Sequence, residues 1–242
     1  MKNLIVFLFV SLSFCAAQTT QPVNAALPDS SKNIAAQRDS VKASINNYML
    51  LNLAQTFTAQ DYYNIIDSLK KNGTGDYFKL RMAYTKTPGY NPVDMDPGDL
   101  FREAYTLVSE ANFKGSAKML DSILSMNYAQ IKAHKLLGYI YTQLGDPQKS
   151  KYHYDVYKGL VNSIFNSGDG KNPKTAFIII EEREESDVYD ALNLVLESHN
   201  YGEVDGHKFH LAKGFDELKD NTYTFFFNID IPRNFLNERK NK

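Results

Sequence analysis

Two glycines, an aspartate and a lysine stand together in "SGDGKNPKTAFIIIE", residues 167–181, just before an apolar run. That composition could cradle a phosphate, ligate calcium or make a turn. A nucleotide loop runs strand, GxxxxGK[ST], helix, so that amides at a helix start meet the phosphates. Here a helical pattern precedes the loop, a strand pattern follows, and Asn172 stands where Ser or Thr would hold magnesium. A calcium loop needs several oxygen ligands and a closing glutamate; Lys171 follows Asp169 and no acid closes the run. What remains is a helix C-cap with a tight turn, in which Gly168 and Gly170 supply positive φ. An anion contact through Lys171, Lys174 and free amides stands beside it.

The five histidines are His134, His153, His199, His207 and His210. His134 and His153 fall on neighbouring helical segments and can face one another. No HExxH or comparable carboxylate spacing accompanies them, which favours packing or a hydrogen bond over a metal. His207 and His210 sit on one strand at odd separation, hence on opposite faces, and cannot share one ion without distortion. No GxSxG elbow is present for a serine nucleophile. "EEREESD" (181–187) reads as a solvated strand end that discourages sheet pairing. No catalytic residue, metal ligand or cofactor is assigned.

The elements that carry these residues follow from periodicity. Residues from Ile34 to Phe57 repeat apolar positions at helical spacing, and Thr58 with Asp61 forms a capping box for a second helix that stops at Gly73. "YTKTPGYNPVDMDPGD" (84–99) is a structured loop, because its prolines remove backbone donors. Amphipathic segments then cover about 98–112, 114–127, 130–144 and 147–165, separated by short breaks as in antiparallel helix pairs. Leu137-Gly138, Tyr141, Gly145-Asp146, Ser150 and Tyr154 match the tetratricopeptide pattern. A 34-residue shift places Ala104 opposite Gly138, Leu107 opposite Tyr141, Ser116 opposite Ser150 and Leu120 opposite Tyr154. The inner helix of that repeat presents Lys132, Lys135, Tyr139 and Gln143 along one stripe, which suits an acidic or C-terminal carboxylate peptide.

Beyond Gly170 the pattern becomes β. "TAFIIIE" (175–181) is apolar on both faces, as a central strand is. Residues 188–197 fit strand alternation and a helical face equally. Asp205-Gly206 is a type I′ hairpin turn, and "TYTFFFNID" is a closing strand. The expected fold is α+β: tetratricopeptide-like helical hairpins over 34–166, a small, mostly antiparallel sheet over 167–232 packed on them, and a charged tail at 233–242.

Residues 1–17 have one lysine, an apolar core from Leu4 to Phe14 and the small residues of "CAA", the pattern of a secretory signal cut after Ala17. Acylation at Cys15 is the alternative, weakened by bulky Phe14. Residues 18–33 read as a flexible leader. Loss of residues 1–17 removes Lys2 from 27 basic residues against 28 acidic ones and takes away the one cysteine. A near-neutral balance argues against a general nucleic-acid binder. No membrane-spanning segment is expected in the mature chain.

"DYFKLRMAYTKTPGYNP", "AHKLLGYIYTQLGD", "YHYDVYKGLVNSIFNSGDGKNPKTAFIII" and "FFFNIDIP", in that order, resemble an exported Bacteroidota family known as domain of unknown function 4919. The resemblance spans about residues 60–232 and implies helices followed by a small sheet in a secreted or lipid-anchored protein. It implies no activity and no site. The expected function is a non-enzymatic interaction module of the cell envelope, with an envelope protein or peptide as partner. The alternative is an envelope hydrolase acting on peptide or glycan, which requires His or carboxylate groups converging between helices and sheet.

Overall fold

The computed structural model describes residues 47–92 and 98–240. The signal, the leader, the start of the helix expected from Ile34 and part of the proline-rich loop lie outside them. Helix α1 (Asn47–Gln55) leads into α2 (Ala59–Asn72). The Thr58 hydroxyl accepts from the Asp61 amide while the Asp61 carboxylate accepts from the Thr58 amide, and Gly73 ends α2 at φ 70°. These are the caps that the sequence specifies. Helix α3 (Tyr77–Tyr84), started by Asp76 capping the Lys79 amide, was not expected. Residues 80–84 are all buried, so α3 shows no polar stripe for periodicity to detect.

Helices α4 (Gly98–Ser109), α5 (Phe113–Met126), α6 (Ile131–Gln143) and α7 (Pro147–Phe165) follow at the expected places. Their joints recur at the 34-residue shift, bond by bond. Ser116 Oγ donates to the Ala104 carbonyl at 2.8 Å, and Ser150 Oγ to the Gly138 carbonyl at 2.9 Å. The Asn112 amide donates to Leu107 O and the Asp146 amide to Tyr141 O. Asn112 caps Gly115 as Asp146 caps Lys149. Ala111 (φ 57°) and Gly145 (φ 71°) occupy the same left-handed turn position. A Cβ on Gly138 would stand 2.9 Å from the Tyr154 ring, so glycine there permits the α6–α7 approach.

The sheet comprises β1 (Phe177–Ile178), β2 (Val195–Val204), β3 (His207–Asp216) and β4 (Asn221–Asn228), in the order β1-β4-β3-β2. The β2–β3 and β3–β4 pairs are antiparallel; β1 joins β4 in parallel. The α+β class holds, with corrections at residues 175–181 and in the tail, and with the open segment 188–197 now assigned. Residues 175–181 do not form a central strand: two of them pair at an edge, and Ile179 and Ile180 are buried in the shared core without strand neighbours on both sides. Residues 188–197 divide, the first part ending helix α8 (Glu184–Ala191) and the second starting β2, with Asn193 at φ 55° between them. Residues of the expected tail form α9 (Asp230–Lys240).

Helix α8 lies over the sheet. Tyr189 donates to the Ala212 carbonyl, and a Cβ on Gly214 would stand 2.2 Å from its ring. Gly214→Ala therefore lowers stability by about 1–3 kcal/mol through overpacking, read as a fall in the urea midpoint; an unchanged midpoint would contradict this contact.

Candidate functional site

The acidic run at 181–187 is not a solvated edge. Glu181, Glu184, Glu185 and Asp187 are all buried. Burial of four carboxylates within seven residues is tolerable only where partners come from elsewhere in the chain. Glu181 accepts from Asn127 Nδ2 (2.9 Å), Gln130 Nε2 (3.0 Å) and Arg183 (3.2 Å). Burial nevertheless raises its pKa, against the opposing pull of Arg183. Glu184 takes both Nε and Nη2 of the fully buried Arg81, at 2.8 and 2.6 Å, and accepts the Ile180 amide. Arg81 also donates to Ser163 Oγ and to the Ile178 carbonyl, so one guanidinium ties α3 to α7, β1 and α8.

Helical spacing divides the remaining acids between two faces of α8. Glu185 and Tyr189, four residues apart, meet β3, where His210 and Ala212 are two apart on one strand face. His210 Nδ1 lies 2.5 Å from Glu185 Oε1, and His199 Nδ1, from β2, lies 3.2 Å from Oε2. The two imidazoles stack with centroids 4.4 Å apart and planes at 14°. His207, on the opposite face as its odd spacing requires, pairs with Asp230 and stacks on Tyr48.

The other face of α8 carries Asp187 and Asp190 toward α6. Lys135 Nζ lies 2.5 Å from Asp190 and 5.8 Å from the Tyr157 ring centroid. No hydrogen bond or ion pair among the described residues reaches the Asp187 carboxylate. Burial first, then the nearby Glu184, Asp190 and Glu181, push its pKa from 3.8 to about 7, with Lys132 opposing. Half-exposed Tyr105 on α4 feels the same Lys135, Asp190 and Asp187. The lysine stripe expected to meet an acidic peptide thus already faces internal carboxylates. Tyr139 packs edge-on against Phe113, and Gln143 is exposed at the end of α6.

At 167–181 the turn reading describes the geometry. Asp169 and Gly170 both donate their amides to the Thr175 carbonyl, at 2.9 and 2.8 Å. Asp169 Oδ1 accepts from the Lys171 amide and from Thr175 Oγ1. Of the two glycines only Gly170 takes the expected positive φ, at 69°; Gly168 is required instead by close packing, since a Cβ there would stand 2.2 Å from the Thr175 oxygen. The amides of Asp169, Gly170, Lys171 and Lys174 are therefore taken within the loop, and exposed Lys171 stands 3.8 Å from Asp169.

His134 and His153 do meet, Nδ1 to Nδ1 at 3.0 Å, beside a cavity of about 480 Å³ lined in part by Tyr128, Tyr152 and Asp121. His134 Nε2 faces the Tyr128 carbonyl at 2.9 Å and so must carry the proton. Its Nδ1 is then the acceptor, and His153 donates. Burial pushes His134 down to about 3 and His153 to about 4, the latter helped by Lys149. Both folded values lie below that of an unfolded histidine, so their contribution is intact above about pH 6.5 and is lost on acidification, by up to about 1.4 kcal/mol per pH unit for each. His153→Asn flattens the pH dependence of the urea midpoint between about pH 6.5 and 4; equal slopes in the two proteins would contradict the pairing.

The family described as a domain of unknown function (DUF4919) matches residues 53–238. No curated protein and no solved structure matches the chain. No helix among the described residues is long and apolar enough to cross a membrane.

Proposed function

This chain belongs to the domain-of-unknown-function family DUF4919, and within it we propose an exported, non-enzymatic interaction module of the cell envelope. Its seam between Tyr105, Lys132 and Asp187 receives a cationic side chain of a protein or peptide partner. The observation that carries this reading is Asp187, a residue 8% exposed whose carboxylate opens to solvent and receives no hydrogen bond or ion pair among the described residues. Fold stability alone disfavours such a group, whereas an incoming ammonium or guanidinium would satisfy it. Because Lys135 is neutralised by Asp190, the seam suits a basic partner better than the acidic peptide the lysines alone suggest. The 34-residue recurrence of turns and serine bonds supports tetratricopeptide-like hairpins as the scaffold. The N-terminal pattern of residues 1–17 supports export.

An array of short peptides with one central lysine or arginine tests this on the full chain. Binding is expected to concentrate on basic peptides and to weaken at least about tenfold in Asp187→Asn. Preference for acidic peptides, or equal binding by the variant, would overturn it. A second reading, a hydrolase acting on envelope peptide or glycan, is favoured by the convergence of Glu185, His199 and His210 between α8 and the sheet. Turnover of such substrates by the native chain and not by Glu185→Gln would select it instead.

A further inference from the structure

We propose that Glu185, His199 and His210 form a binding site for one divalent transition-metal ion, Zn²⁺ foremost. The three residues can each offer one ligand atom, and these atoms lie within 4.8 Å of one another. Two imidazole nitrogens and a carboxylate are a borderline donor set that suits Zn²⁺ and its neighbours, whereas Mg²⁺ and Ca²⁺ favour oxygen alone.

The independent sign of a ligand is the state of Glu185. Its side chain is 1% exposed, yet Oε2 makes no hydrogen bond to any described residue. That oxygen points at His199 Nδ1 across 3.2 Å. Two atoms bound to one Zn²⁺ at about 2.0–2.1 Å stand about 3.0–3.4 Å apart, so this pair is already at ligand spacing. The His210 contact at 2.5 Å is a hydrogen bond and must open on binding. On binding, neutral His210 changes tautomer: the Nδ1 proton passes to solvent, Nε2 takes one up, and the freed Nδ1 lone pair meets the ion. His199, half-exposed on edge strand β2, is free to tilt out of its stack, while His210 is fixed in β3 between two paired neighbours. Glu185 is fixed one helical turn before the Tyr189 anchor to Ala212. The arrangement is two rigid ligands and one adjustable ligand on the solvent side. Three protein ligands leave a fourth position for water, as in open zinc sites.

The experiment uses the full chain carrying Cys15→Ser, so that no thiol competes. After chelator treatment it is titrated with Zn²⁺ against a chromogenic indicator at neutral pH, and bound metal is counted by elemental analysis. One ion per chain is expected, with a dissociation constant on the order of 1 µM or below. His199→Ala, at a half-exposed position, weakens binding by about 100-fold while circular dichroism stays unchanged. Glu185→Gln does the same, and His207→Ala, on the opposite strand face, binds as the parent does. Less than half an ion per chain, or undiminished affinity in His199→Ala, would overturn the site. A metal site confirmed here stands whether or not basic peptides bind at Asp187, since the two lie on different faces of α8.

Discussion

Arg81→Ala lowers stability by about 3–5 kcal/mol, because it leaves Glu184 buried with its charge uncompensated. Arg81 is wholly inaccessible and donates to Glu184, Ser163 and the Ile178 carbonyl. Its loss orphans acceptors on α7, β1 and α8 together, which a truncation of one apolar side chain does not do. The thermal midpoint should fall by roughly 6–20 °C for a domain of this size. Exchange of both partners for apolar residues, Arg81→Met with Glu184→Leu, recovers part of the loss: it removes the unpaired charge but leaves the Ile178 carbonyl and the Ile180 amide without these partners. A fall below about 1 kcal/mol in Arg81→Ala would mean that water reaches Glu184 and that the four elements are not joined through it.

Asp187→Asn has the opposite sign. With its pKa raised from 3.8 to about 7 in the folded chain, Asp187 takes up a proton on folding at intermediate pH. Its stabilising share is therefore full below about pH 4, and is lost as pH rises through 7. Above that, the carboxylate opposes folding by on the order of 4 kcal/mol. An asparagine of the same shape never acquires the charge. The variant should be more stable than the parent in urea at alkaline pH and nearly equal to it near pH 4. A stability optimum forgone at one side chain is what a binding residue shows. Lower stability of the variant at alkaline pH would show instead that Asp187 is held by interactions that support the fold.

Much of the fold is legible along the chain because its signals are local. Thr58 and Asp61 cap each other within one turn, and the 34-residue shift aligns Ser116 with Ser150 through bonds that each span 12 residues. Arg81 was invisible for the converse reason: Glu184 is 103 residues away, and a lone arginine in an apolar segment does not name its partner. "EEREESD" misled similarly, since a charge run looks solvated until the chain returns with Arg81, Asn127 and Gln130. The His199–His210 stack had a usable signal. A two-residue turn at Asp205-Gly206 pairs Val204 with His207, and counting back places Tyr201 opposite His210. His199 then falls two residues along the same strand face. Comparison of histidines along a single strand, His207 with His210, missed a pair that forms across two.

The seam at Asp187 is the centre of the functional account, and a double-mutant cycle tests it most directly. A peptide selected for binding is measured with its central lysine and with norleucine, each against the native chain and Asp187→Asn. If the ammonium meets Asp187, either change alone weakens binding and the second adds little, giving a coupling of about 1.5 kcal/mol or more. Independent, additive losses would place the lysine elsewhere and contradict the account.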